Sequence, residues 1–310
     1  MRARARLACA MPIAAALLIA SASPRAQAPS AVVSTAKTAE LREKLVAQLT
    51  TIASGLDGVM GYTIVDLTTG DRLERLPSEV FPLASTIKLT LLYELFKQAD
   101  EGKINLDEMR TLDRRQVVGG DGVLVELTTP SLSLRDYATL MVVLSDNTAT
   151  NVLIDVAGMQ KVTARMASAG LPTLKLRRKM IDLEAARRGD ENVGAPADVA
   201  KLLGMIHRAD GLKKESADAI VAILKKAKNT SLRRGVNAGI DVADKPGTLD
   251  GVETGAGIVY VPGRPYIFVA TTTFLKNNAA GEAAITAASR AAFDYFSRLS
   301  KGSEYGREIR

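Results

Sequence analysis

The sequence has 310 residues but only one histidine and one cysteine, and each scarcity removes a class of chemistry. A serine hydrolase built on a Ser-His-Asp triad needs an imidazole as its base. The one candidate, His207, sits in the helical pattern KLLGMIHRAD with no other candidate site residue around it, and is read as an ordinary helix-face side chain. A zinc centre needs three or four soft or imidazole ligands, which the mature chain does not supply. No G-x-x-x-x-G-K-[ST] phosphate loop occurs either. No cofactor and no metal are expected. Any hydrolytic nucleophile in this chain must be activated without histidine.

Internal repeats, low-complexity tracts and Pro/Ser-rich linkers are also missing, which favours one catalytic unit over residues 29–310. Charge is modest: the formal net charge of +7 falls to +3 without four arginines at positions 2, 4, 6 and 25. That is too mild to call for nucleic acid. Those arginines flank the apolar stretch Leu7–Ala22, the pattern of a secretory signal peptide over residues 1–28. Ala26-Gln27-Ala28 fits the cleavage pattern, with Ala20-Ser21-Ala22 as a second choice. Cys9 leaves with the leader and is poorly placed for a lipid anchor, so the mature chain has no cysteine. The expectation is an exported, periplasmic or secreted monomer without a membrane anchor.

Along the mature chain, AKTAELREKLVAQLTTIA (36–53) has helical apolar spacing. VMGYTIVDLTTGDRLERL alternates around Thr68-Thr69-Gly70-Asp71 as a β-hairpin does. From about 83 to 230 the signals are helical: 86–101, a capped helix from Ser133 to about Leu144, then 148–157, 159–169, 196–208 and 214–228. Strand signals return at 240–243 and on both sides of the tip Pro262-Gly263-Arg264-Pro265, and a helix closes the chain over about 280–299. This order implies an α/β fold, with an antiparallel sheet flanked by N- and C-terminal helices (about 36–80 and 231–300) plus an all-helical lobe (about 81–230).

Three clusters carry chemistry. Ser85 and Lys88 lie three positions apart in FPLASTIKLTLLYELF, on one helical face, so the amine can reach the hydroxyl. Burial, a helix N-terminus and a second cation each lower a lysine's pKa toward that of a useful base. The same spacing at Ser34–Lys37 lacks any such context. Ser145-Asp146-Asn147 falls between two helices, where it reads either as a proton relay with a substrate-binding amide or as a helix cap. Lys245-Pro246-Gly247-Thr248 follows a short apolar strand and reads either as a carboxylate-binding charge beside a permissive glycine or as an ordinary turn.

Together, S-T-I-K, S-D-N and K-P-G-T in this order resemble the S-x-x-K, S-D-N and K-T-G set of the penicillin-recognising active-site serine enzymes, above all the class A β-lactamases. The stretches LSLRDYATLMVVLSDNTATNVLID and SLRRGVNAGIDVADKPG extend the likeness beyond the motif letters. The resemblance implies acylation of Ser85 by a strained lactam carbonyl, with Lys88 as base or its hydrogen-bond partner and Ser145 carrying a proton to the lactam nitrogen. It further implies that Asn147 holds the substrate's side-chain amide, that Lys245 with Gly247 and Thr248 receives the substrate, and that the backbone N–H groups of Ser85 and Thr248 form the oxyanion hole.

Two departures stand out. The loop LRRKMIDLEAARRGDENVGAP (176–196) has no E-x-x-x-N, and an ungapped count from Pro196 puts Lys179 where the family has its water-activating glutamate. Asp182 and Glu184 are the nearest carboxylates, Glu184 the preferred candidate; both also read as solvated loop charges. Pro246 replaces the usual hydroxyl residue. The expected function is a serine β-lactamase acting on a β-lactam or peptidoglycan-like small molecule. The alternatives are a D-Ala-D-Ala peptidase or esterase relative, or a slowly deacylating penicillin-binding protein.

Overall fold

A computed structural model describes residues 36–303 and 305–308. The expected leader, with Cys9 and both cleavage patterns, lies outside the described residues, as does Ser34.

Helix α1 (Ala36–Gly55) buries Leu45, Leu49 and Ala53, one stripe at four-residue spacing. Strands β1 (Val59–Asp66) and β2 (Arg72–Arg75) form the expected hairpin, with Tyr62 opposite Arg75. Its turn is set by Asp66 Oδ1, which accepts from Thr68 N at 2.8 Å, and by Gly70 at φ 82°. A two-residue strand β3 (Phe81–Pro82) leads into a 3₁₀ turn, Ala84–Ile87, and then α2 (Lys88–Asp100). Ser85 therefore stands in a tight turn ahead of the α-helix rather than in a helix already begun.

Strands β4 (Met109–Thr111) and β5 (Ser131–Ser133) pair across a loop, and the Ser133 hydroxyl caps α3 (Leu134–Val143) by accepting from Asp136 N at 3.0 Å. Helices α4 (Asn147–Ala157) and α5 (Met159–Ser168) meet at Gly158. A short α6 (Leu183–Arg187) and β6 (Val193–Gly194), which pairs with β3, precede α7 (Pro196–Arg208). Helix α8 (Lys214–Lys225) stops three residues before the expected 228, because the carbonyls of Leu224 and Lys226 turn to the Lys228 ammonium and the Arg233 guanidinium. After α9 (Ser231–Arg234) come β7 (Val242–Leu249), β8 (Val252–Val259), β9 (Tyr266–Thr273) and α10 (Asn278–Lys301).

The main sheet is antiparallel throughout, in the order β2-β1-β9-β8-β7. Alternation along its strands feeds two cores. Ala243, Ala256, Ile258, Ile267 and Val269 pack with the helices between α2 and α8. Val242, Val259, Phe268, Tyr62 and Ile64 pack with α1 and α10, where Tyr266 stacks on Phe296 at 4.2 Å between ring centroids. The K-P-G-T segment, read as following a short strand and with a turn as one of its two readings, runs inside the β7 ladder, Pro246 opposite Gly255. It is tolerated there because β7 is an edge strand, bonded on one side only. Among the described residues no helix is long and apolar enough to cross a membrane.

One contact ties this sheet to the segment that carries Ser85. A Cβ on Gly61 of β1 would lie 2.7 Å from the Phe81 ring, so the glycine lets β3 dock flat on the sheet. Gly61→Ala is expected to lower stability by about 1–3 kcal/mol through overpacking, measured as a drop in urea midpoint with an unchanged m-value.

Candidate active site

The 3₁₀ turn holds Ser85 against the edge of the sheet. Ala84 adopts φ 47°, an unusual conformation for a residue with a side chain. The turn is fixed from below: Thr86 Oγ1 donates to Lys245 O at 3.2 Å and lies 2.7 Å from Thr254 Oγ1, while Thr254 Oγ1 also reaches Leu83 O. Gly247 has a role beyond the one expected. A Cβ there would stand 2.7 Å from both Leu83 O and Ser85 N. The glycine admits the Ser85 turn itself, not only a ligand's backbone.

The three motif serine and lysine residues beyond Ser85 converge on one oxygen. Lys88 Nζ donates to Ser145 Oγ at 3.1 Å, to Ser145 O at 2.6 Å and to Asn147 Oδ1 at 3.0 Å. Lys245 Nζ donates to the same Ser145 Oγ at 3.1 Å and to Pro246 O at 2.8 Å. Both lysines are 1% exposed. Ser145 itself bridges α3 and α4 at φ 54°. Ser85 is half-buried, and its Oγ makes no hydrogen bond among the described residues.

Two amines enclosed this way disfavour their charged forms. Burial pulls Lys88 down to about 7, against the opposing charges of Asp121 and Asp146. Lys245 falls well below its ordinary range, from burial first and then from the positive charge of Lys88. Behind it, buried Asp244 accepts from Thr230 Oγ1 at 2.6 Å and Arg233 Nε at 2.8 Å, with Lys228 Nζ at 3.6 Å.

Asp146 is used in folding the site: it caps α4 through Ala149 N at 2.8 Å and accepts from Val123 N and Leu124 N, which pins the loop over the site. Asn147 is buried, and besides Lys88 its Nδ2 reaches Gly119 O at 3.3 Å. Thr248 turns its hydroxyl away to Glu253 Oε2 at 3.0 Å.

The loop 176–196 brings no free carboxylate to this cluster. Asp182 caps α6 by accepting from Ala185 N at 3.0 Å. Glu184 is exposed on α6 and bonds to no site residue, and Lys179 pairs with Asp155 at 2.6 Å. Ile181, at φ 60°, and Asn147 both crowd Gly120: a Cβ there would lie 3.3 Å from Ile181 Cδ1 and 2.7 Å from Asn147 Nδ2. Two asparagines not singled out in the sequence hold this loop. Asn151 exchanges bonds with Met180 N at 2.8 Å and Met180 O at 3.1 Å. Asn192 accepts from Arg177 N and Arg178 N, while its own carbonyl receives Leu83 N at 2.9 Å. The signal for Asn151 was present, since it follows Asn147 by one helical turn. Asn192 carried no such periodic signal. His207 tilts against Tyr260, with ring centroids 6.0 Å apart, and bonds to none of these residues.

Residues 44–296 match the β-lactamase enzyme family. An imipenem-hydrolyzing β-lactamase of Enterobacter cloacae is 27% identical over 262 residues, covering 81% of this chain and 89% of that protein. A reconstructed ancestral class A β-lactamase superposes with a TM-score of 0.76 at 27% identity, over 81% of this chain and 99% of that one. A variant of PBP-A, solved as an acyl-enzyme complex with penicillin G, superposes with a TM-score of 0.76 at 27% identity, over 82% and 96%. The chain belongs to the β-lactamase enzyme family, and the reconstructed ancestor it resembles is of class A.

The depressed Lys88 has a stability consequence. Between about pH 7 and its ordinary 10.5, the unfolded chain binds a proton that the folded chain does not, so stability rises with pH across that window. Urea titrations are therefore expected to show wild type gaining on Lys88→Met as pH rises from 7 to 10. A constant difference would contradict the depressed amine.

Proposed function

We propose that this protein is an exported serine β-lactamase that acylates Ser85 and hydrolyses the acyl-enzyme slowly. The observation that carries the acylation half is the Lys88–Ser145–Lys245 convergence on one hydroxyl. An ammonium at Lys88 is saturated by its three acceptors; a neutral amine drops one of them and offers a lone pair. Ser85 Oγ attacks the lactam carbonyl while its proton passes to that amine. Ser145, between the two amines, delivers a proton to the lactam nitrogen as the C–N bond breaks, leaving an ester on Ser85. The oxyanion is received by the N–H groups of Ser85 and Thr248. Lys245 and its neighbours receive the substrate carboxylate, the arriving anion favouring the charged amine. Asn147 exchanges its long bond to Gly119 O for the substrate's amide. The α/β part (36–80 and 231–300) and the helical part (81–230) act as two lobes that border this site.

A specific observation favours slow deacylation. Asp182 is committed to a cap and Glu184 faces solvent, so neither carboxylate bonds to the cluster. A positioned general base contributes about 10²–10⁴-fold, and its lack lengthens the life of the ester. The penicillin G acyl-enzyme of the PBP-A variant supports a stable adduct on this fold. In the limit the protein is a penicillin-binding protein.

The test is a chromogenic cephalosporin followed over many equivalents, with the protein then weighed by mass spectrometry. The expected record is a burst of about one equivalent, an adduct on Ser85 and a slower steady state. Ser85→Ala is expected to abolish all three. The burst rate constant is expected to rise with pH through about 7, as Lys88 becomes the neutral base. Ester or D-Ala-D-Ala cleavage without lactam product would point to a peptidase or esterase instead, and a burst with no steady state to the binding protein.

A further inference from the structure

We propose that Glu253 is a positioning residue for Thr248, holding from the far side of β7 the peptide N–H that receives the oxyanion. This rests on the acylation reading above. Glu253 is 3% exposed, and no cation bonds it among the described residues. A buried carboxylate without an ion pair is costly unless hydrogen bonds hold it. Its two donors are Thr248 Oγ1 at 3.0 Å and Asn278 Nδ2 at 2.8 Å.

Both donors belong to the same short stretch of structure. Thr248 and Glu253 face each other across the β7–β8 pair. Asn278, at the start of α10, also donates to Leu249 O at 2.7 Å and accepts from Gly251 N at 3.0 Å, which closes the hairpin. On the opposite face of the same strands, Thr254 and Gly247 lie against the Ser85 turn. The edge strand is thus clamped from both sides at the residue whose N–H must point at the reacting oxygen. A side chain as exposed as Thr248 would otherwise rotate freely and leave β7 held from one face only.

The charged groups facing Glu253 are Arg234 of α9 and Glu282 of α10, which pair with each other at 2.7 Å. Burial raises the Glu253 carboxyl above its ordinary value, so its ionised form is lost at a higher pH than for a solvated glutamate. Protonation weakens the acceptor that holds Thr248, which places an acid limb on acylation above the usual carboxylate range.

The experiment compares stopped-flow acylation by a chromogenic cephalosporin in wild type, Glu253→Gln, Glu253→Leu, Thr248→Val and the Glu253→Leu/Thr248→Val double variant, across pH. Removing the acceptor is expected to slow acylation about tenfold, the worth of one charge-assisted hydrogen bond, with little change in KM. Thr248→Val is expected to match it, and the double variant to lose no more than either. Glu253→Gln, which keeps one acceptor oxygen and the side-chain volume, is expected to acylate near the wild-type rate, keeping the fall through about 7 that belongs to Lys88 but losing the second fall that Glu253 adds to it. Additive losses, or a second fall unchanged in Glu253→Gln, would overturn the inference. So would a Glu253→Leu protein that melts lower yet acylates at full rate. A wild type that is not acylated at all would overturn the parent reading as well, which separates the two failures.

Discussion

A single hydroxyl oxygen flanked by two buried amines is the constraint around which this site is arranged. Ser145 Oγ stands 3.1 Å from Lys88 Nζ and 3.1 Å from Lys245 Nζ. Two ammonium groups so placed repel each other in a medium that screens poorly; burial is the first cause that lowers both amines, and the charge of Lys88 adds to it at Lys245. The surroundings moderate that repulsion without cancelling it. Asp121 and Asp146 oppose the loss of charge on Lys88, and Asp244 opposes it on Lys245. Asp244 is itself held by Thr230 and Arg233. An amine near neutrality is what a histidine-poor chain needs if a serine is to be activated.

Holding that oxygen in place requires segments far apart in sequence to meet. The 3₁₀ turn arrives from β3, Ser145 from the α3–α4 junction and Lys245 from the edge strand. The buried Thr86 hydroxyl, which donates to Lys245 O and meets Thr254 of β8, joins the first to the third. Amide side chains do the remaining work, with Asn151 fastening Met180 and Asn192 fastening Arg177 and Arg178. Residues with side chains in left-handed backbone conformations, Ala84, Ser145 and Ile181, cluster in these same segments. Such conformations persist only where surrounding structure enforces them.

Much of this was legible in the sequence, and the exceptions share a cause. The α1 stripe, the Thr68–Asp71 hairpin, the Ser133 cap and the start and end of α7 all follow from local periodicity or capping chemistry, and they stand where the residues indicated. What local pattern does not encode is a partner distant in sequence. Strands of two or three residues, such as β3 with β6, have too little periodicity to register. Lys245-Pro246-Gly247-Thr248 reads locally as a turn, yet β8 extends it into a ladder. The close approach that requires Gly247 comes from Leu83 and Ser85, more than 150 residues earlier in the chain. In the loop 176–196 the sequence offered Asp182 and Glu184 as the nearest carboxylates, but direction is a property of the backbone: Asp182 turns inward to its own helix and Glu184 outward.

Pro246 carries a last implication for how this molecule behaves in company. An open sheet edge is a template on which another chain's strand can lay itself, and crowded solutions reward such pairing. With no N–H at Pro246, and with Gly247 folded against the Ser85 turn, β7 presents an interrupted row of donors. A short guest is able to use what remains, whereas a long β-strand meets a gap in its ladder. The strand that carries Lys245 thereby offers a neighbouring chain only a broken ladder.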